Sequence, residues 1–215
     1  MKYLSLDLET TSLNPSPNNI LMLSAVVEDT KNIKPLYDLP NFTCYIKHEE
    51  ITGSAYALSM NHWILDIISG RAITEFRIYD ENEWQNHFKE FCRLHFGNKK
   101  ITLAGKNVAG FDFQFLPKDV QKLFRHRCID PSILYVDWDN DTTLPDMASC
   151  LKRAELPYPI QHHAYEDALY VIGLLRKFYR VLDTDALDGR LRVWKEEETP
   201  EDLLLTDKEM KDTLA

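Results

Sequence analysis

The stretch KYLSLDLE, residues 2–9, decides the fold. Its side chains alternate with period two, placing Leu4, Leu6 and Leu8 on one face of an extended segment and Ser5, Asp7 and Glu9 on the other. A face made only of leucine has to lie against a core, so the segment reads as a strand inside a sheet. On an edge strand the two carboxylates would form a solvated face. On a central strand they are costly unless something coordinates them.

Working outward, residues 20–27 and 42–48 read as two more strands separated by loops rich in Pro and Asn, which opens the chain as an antiparallel meander. From Asp80 the period changes to helical. Asp80 is expected as the N-cap with Glu83 three residues on, Trp84, Phe88, Phe91 and His95 share one face, and Gly97 ends the helix. A strand at 101–104 leads through Gly105 into a short helix near 111–116, and a fifth strand is expected at 128–129, before Pro131. Ala164, Ala168, Val171, Ile172, Leu175, Phe178, Tyr179 and Leu182 then line one stripe of a long amphipathic helix. The order β-β-β-α-β-α-β-α specifies an α/β fold with a mixed sheet. Residues 1–183 are expected to form one domain, followed by an acidic C-terminal extension at 184–215.

A length of 215 residues, 44% hydrophobic, is enough for one full core and a modest appendage. With 25 basic against 34 acidic residues the formal charge is −9, which excludes a general electrostatic hold on long duplexes, because that hold depends on lysines and arginines neutralising phosphates. The small basic groups, Lys99 with Lys100 and Arg125 with Arg127, read first as solvated surface, with local contact to phosphates as the alternative. Cys44, Cys92, Cys128 and Cys150 are too scattered for a zinc site or a dense disulfide framework. No stretch reaches the ~18 apolar residues of a membrane span, and a cytoplasmic protein is expected.

The chemistry-bearing residues lie on these elements. Two positions apart on a strand, Asp7 and Glu9 project from one face, close enough to share metal ions. Asp167 falls on the apolar stripe of the last helix, where a carboxylate needs a partner. An arginine would serve, and so would a metal held jointly with Asp7 and Glu9. Asp112 opens the short helix after Gly105, where an Asp also acts as an ordinary cap. Of the two histidines before Asp167, His163 lies four residues away on the same helical face. His162 is useful as a general base only if the helix starts near Ala164 and leaves it on the entering loop.

Taken in order, DLETTSLNP at 7–15, AGKNVAGFDFQFL at 104–116 and HHAYEDA at 162–168 resemble the three motifs of the DEDDh family of 3′-to-5′ exonucleases. That group includes polymerase proofreading subunits, ribonuclease T and oligoribonuclease. The resemblance implies a ribonuclease H-like fold, a five-stranded mixed sheet flanked by helices. It also implies Asp7, Glu9, Asp112 and Asp167 as ligands of two Mg2+ or Mn2+ ions, and His162 as the base, because the H-x-A-x-x-D pattern aligns His162, Ala164 and Asp167. Thr10 and Leu13 are then expected beside the 3′-terminal nucleotide, with Met60, Asn61 and Asn107 as further substrate-binding residues. Ser12 stands where many members have glycine, and Lys106 where a histidine is frequent. Asn107 is one residue farther from Asp112 than in many proofreading enzymes, a spacing closer to oligoribonuclease. The expected partner is the 3′ end of single-stranded DNA or RNA, with DNA slightly preferred. An oligoribonuclease-like RNA exonuclease is the alternative, and an inactive nucleic-acid-binding module the rival of another class. Leu203, Leu204 and Leu205 in the extension offer a surface for a homodimer or for a polymerase or replication partner.

Overall fold

The alternation in residues 2–9 becomes β1, Lys2–Thr10, and it lies next to one edge of a five-stranded sheet. The computed structural model describes residues 1–15, 19–156 and 162–181. β1 pairs antiparallel with β2 (Ile20–Asp29), and β2 antiparallel with β3 (Asn41–Lys47). β4 (Arg77–Asp80) adds parallel to β3, and β5 (Leu103–Ala104) parallel to β1, giving the order β4-β3-β2-β1-β5. β2 is buried at nine of its ten residues, as a strand covered on both faces must be.

Each face of the sheet has its own cover. Leu4, Leu6 and Leu8 pack with Leu23, Ala25 and Val27 against Trp84, Phe88 and Cys92 of helix α3, Trp84–Phe96. In the same chain, helices α1 (Ala55–Met60) and α2 (His62–Ile68) precede it. Ile64 and Ile67 of α2 meet Leu21, Met22 and Tyr45, together with Ala164. Short helices α4 (Asp112–Phe115) and α5 (Lys118–Gln121) follow β5, and α6 (Met147–Ala154) packs Cys150 and Leu151 against Tyr170 and Leu174 of α7, Ala164–Val181. No helix among the described residues is long and apolar enough to cross a membrane.

Two expectations are corrected. Asp80 does not cap α3. It ends β4, and the helix begins at Trp84 with Glu83 in the cap position and no side-chain cap bond. Gly97 does end the helix, in the positive-φ conformation that its missing Cβ permits, with its N–H on the Arg93 carbonyl. The segment 128–129 makes only an isolated bridge, Ala104 with Ile129, so the fifth strand is β4 instead. Helices α1, α2, α5 and α6 are additional to the elements expected. Met1–Leu175 form one compact unit. The expected domain boundary at 183/184, and the extension with it, lie outside the described residues.

Candidate metal centre

The acidic face of β1 meets the first turn of α7. Small side chains make that approach feasible: Ala164 and Ala168, both fully buried, flank Asp167, and the Ser5 hydroxyl donates to the Ala168 carbonyl at 2.8 Å. One carboxylate oxygen from each of Asp7, Glu9 and Asp167 then lies within 4.8 Å of the others. Asp112 joins them from α4. β5 is only two residues long, so its ladder with β1 stops at Ser5 opposite Ala104, and the Leu8 N–H beyond it needs another acceptor. Asp112 Oδ1 supplies it at 3.0 Å, which places this buried carboxyl beside Asp7. Gly105 lets the chain turn away there, since a Cβ would stand 2.7 Å from the Leu6 carbonyl oxygen.

The four carboxyls pay for their proximity in proton affinity. Burial, then Asp112, Asp167 and Glu9, hold Asp7 well above the usual carboxylate range. Burial and then Asp167 push Glu9 from 4.5 to about 8, against a side-chain hydrogen bond from Asn61 that favours the ionised form. Asp112 and Asp167 are each raised to about 7, by burial first. One pH unit corresponds to ~1.4 kcal/mol, so ionising Glu9 without a cation costs on the order of 5 kcal/mol. Among the described residues no lysine or arginine forms a salt bridge with any of the four. A hard divalent cation with oxygen ligands therefore fits the donor set, because it supplies the charge that burial and mutual repulsion demand.

The histidines take different places. α7 begins at Ala164, leaving both on the segment before it. His162 is exposed, whereas His163 is half-buried with its ring stacked on Trp63, centroids 5.2 Å apart, and also against Phe76. Burial lowers the basicity of His163, and its carbonyl accepts from the Asp167 N–H at 3.0 Å, a role in the helix start. A recess of about 390 Å³ is lined by His162, His163, Met60 and Trp63. That is at the small end of the ~300–1,000 Å³ typical of ligand pockets.

The other residues expected at the substrate divide. Thr10 is buried after an irregularity in the β1–β2 register, its hydroxyl on the Ser12 carbonyl and its own carbonyl accepting from Asn61 Nδ2 at 3.0 Å. Asn61 is buried, and its Oδ1 has no partner among the described residues. Leu13 is 82% exposed. Asn107 is exposed at φ 53° in the turn before α4, with its N–H held by Asp130 at 2.8 Å. Sequence reasoning missed three participants. Trp63 was findable, one helical step of three residues from Met60. Gly53 and Thr11 carried no local signal: a Cβ on Gly53 would come within 2.3 Å of the Thr11 carbonyl oxygen, so only glycine lets the α1 segment close on the end of β1.

No family model and no curated protein matches the chain. Solved structures do. Cell-death related nuclease 4 (CRN-4) superposes with a TM-score of 0.58 at 14% identity, over 84% of this chain and 64% of that one. Exonuclease I of E. coli in complex with a dT13 oligonucleotide gives 0.56 at 13%, over 85% and 43%. A zinc-ion-bound form of the same enzyme with single-stranded DNA gives 0.57 at 14%, over 85% and 42%. The chain thus spans under two thirds of each of these structures' lengths. At such identities the likeness defines the fold, which is ribonuclease H-like: a mixed five-stranded α/β sheet flanked by helices.

Proposed function

We propose that this chain is a metal-dependent 3′-to-5′ exonuclease of the DEDDh type, releasing nucleoside 5′-monophosphates from single-stranded nucleic acid. The observation that carries the reading is the convergence of three carboxyls from β1 and α7 within 4.8 Å of one another, with Asp112 of α4 held beside them on the Leu8 N–H, all four raised in pKa and without a salt bridge to a described lysine or arginine. In this reading Asp7, Glu9, Asp112 and Asp167 would hold two Mg2+ or Mn2+ ions. The ions would supply charge neutralisation of the scissile phosphate and of the water that attacks it.

The protein's own residues do the rest. The recess of Met60 and Trp63 takes the terminal base on an apolar and aromatic lining, which tolerates any sequence because every base has a stacking face. Asn61, fixed against Thr10, orients the Glu9 carboxylate. The exposed imidazole of His162 accepts the proton of the attacking water, whose oxygen bonds to phosphorus while the bond to the 3′-oxygen of the preceding nucleotide breaks. That oxygen leaves with the bonding electron pair and takes a proton from solvent water to become the new 3′-hydroxyl. DNA is the first substrate to offer, since Exonuclease I of E. coli was solved with dT13, and RNA the second.

The test offers 3′-labelled and 5′-labelled oligonucleotides and a generic phosphomonoester, each with Mn2+ and with chelator. Cation-dependent release of labelled mononucleotide from the 3′-labelled strand, with stepwise shortening of the 5′-labelled one, is the expected result. Hydrolysis of the monoester alone, or turnover of none, sinks the reading.

A further inference from the structure

The two basic pairs, far apart in sequence, meet in the folded chain. The segment around 124–129 runs beside β5, bridged to its surroundings at Ile101–Phe124 and Ala104–Ile129, so Arg125 and Arg127 come up against the loop from α3 into β5 that carries Lys99 and Lys100. Lys2, the first residue of β1, lies at the same end. A recess of about 670 Å³ opens there, lined by Lys2, His95, Lys99, Lys100, Arg125 and Arg127, and among the described residues no carboxylate side chain is part of its lining. A neighbouring recess of about 350 Å³ shares Lys99 and Lys100, adds Arg93 and Lys122, and is equally free of carboxylates among the described residues.

The cations are held in place without being neutralised. Lys2 Nζ lies 5.6 Å from the centroid of the Phe96 ring, Lys100 Nζ donates to the Lys122 carbonyl, and Arg125 Nε donates to the Lys100 carbonyl at 3.2 Å. None of Lys2, Lys99, Lys100, Arg125 and Arg127 forms an ion pair with a described residue. The basicity of His95 is lowered by burial and by the charges of Lys2 and Lys34, the response of an imidazole in a positive field. In a chain of net charge −9 such a field needs a local anion to offset its self-repulsion.

We propose that this recess is a backbone-phosphate exosite for single-stranded nucleic acid, gripping the part of the strand on the 5′ side of the end that enters the carboxylate centre. The assignment rests on the nuclease reading for its direction. From Lys2 to Asp7 is five residues of β1, a rise of ~17 Å at ~3.3 Å each, and because the odd spacing puts the two side chains on opposite faces of the sheet, the strand must also round the β5 edge. A stacked strand advances ~3.4 Å per nucleotide, so at least about five nucleotides separate the two sites. Shorter strands engage the carboxylate end alone.

The experiment uses the full chain with Ca2+, which fills the carboxylate centre without the strict octahedral geometry that turnover needs, and reads fluorescence anisotropy of 5′-labelled oligothymidylates of 4 and 15 nucleotides. Lys99→Glu/Arg127→Glu is the informative variant, because neither side chain hydrogen-bonds a described residue. It is expected to weaken the 15-mer at least tenfold and to reduce the salt slope by about 1.4, at ~0.7 for each phosphate left without its cation. The 4-mer should not change, nor should Arg71→Glu/Lys152→Glu, which shifts the net charge equally, alter binding. Should the reversal fail to fold, Lys99→Gln/Arg127→Gln is expected to give the same change of slope. Undiminished 15-mer affinity, an equal loss with the 4-mer, or an equal loss in the Arg71/Lys152 control overturns the exosite. Hydrolysis of thymidine 5′-(p-nitrophenyl phosphate) with Mn2+ reports the carboxylate end separately. An inert diester with the 15-mer loss intact rejects the nuclease reading and leaves a strand-binding recess. An active diester with no 15-mer loss rejects the recess alone.

Discussion

β1 joins two sites of opposite character. At its C-terminal half, Asp7 and Glu9 meet Asp112 and Asp167, and burial with mutual repulsion keeps all four carboxyls protonated far above their ordinary range. At its start, Lys2 joins lysines and arginines from the loop after α3 and from the 124–129 segment in a recess without a carboxylate among the described residues. The net charge of −9 conceals both, because it sums over excesses that the fold keeps apart. The acidic end can accept a polyanion only with cations bound, whereas the basic end needs none. Chelation should therefore separate them.

The largest effect that would break this division is expected from Asp7→Asn. Removing the carboxylate at the centre of the cluster should lower mononucleotide release by at least ~1,000-fold, the loss expected when a metal-held transition state is no longer neutralised. Binding of a 15-mer in chelator should persist. A rate loss under tenfold, measured by chromatography of released nucleotides, would remove Asp7 from the chemistry.

The histidines sharpen the acidic end. His162→Ala should reduce turnover ~100- to 10,000-fold, the usual contribution of a general base, while the Mn2+-induced rise in melting temperature survives. His163→Ala should leave turnover within a few-fold but destabilise the protein by about 1–2 kcal/mol, since its ring is stacked on Trp63 and packed against Phe76. The opposite pattern would move the base one residue along the chain.

The smallest effect is in stability. The folded carboxyls have pKa values raised above those of the unfolded chain, so between about pH 4 and 8 the folded state binds more protons. Their contribution is fully present below pH 4 and is lost as pH rises through 7 to 8. In chelator the melting temperature should fall across that window. Asp7→Asn should flatten the decline, and Mn2+ at pH 8 should restore wild-type stability. A metal-free protein that gains stability between pH 5 and 8 would contradict the raised values.

Much of the acidic end was legible because its signals are local. Alternation in 2–9 set which face of β1 carries Asp7 and Glu9, and the helical stripe around Asp167 showed that a charge points inward. The start of α7 at Ala164 left both histidines on the entering segment, and only burial, with His162 exposed and His163 stacked on Trp63, separated them. Where a signal was weak the reading failed. β4 has four residues, three of them exposed, and shows no period. Asp80 looked like a cap because capping residues also end strands. Gly53 meets Thr11 across 42 positions, and nothing in its neighbourhood announces that approach.

The sequence by itself determined most of the elements, the inward carboxylates of β1 and α7, and the mixed α/β class of the fold, since propensity and period act over a few residues. Only the tertiary structure decided that Asp112 reaches the Leu8 N–H, that Met60 and Trp63 face the histidines, and that Lys99, Lys100, Arg125 and Arg127 share one recess. Such meetings depend on where a short β5 lets the chain diverge and on how closely a glycine or alanine lets backbones approach. Those are properties of packing between distant segments, which no local pattern encodes.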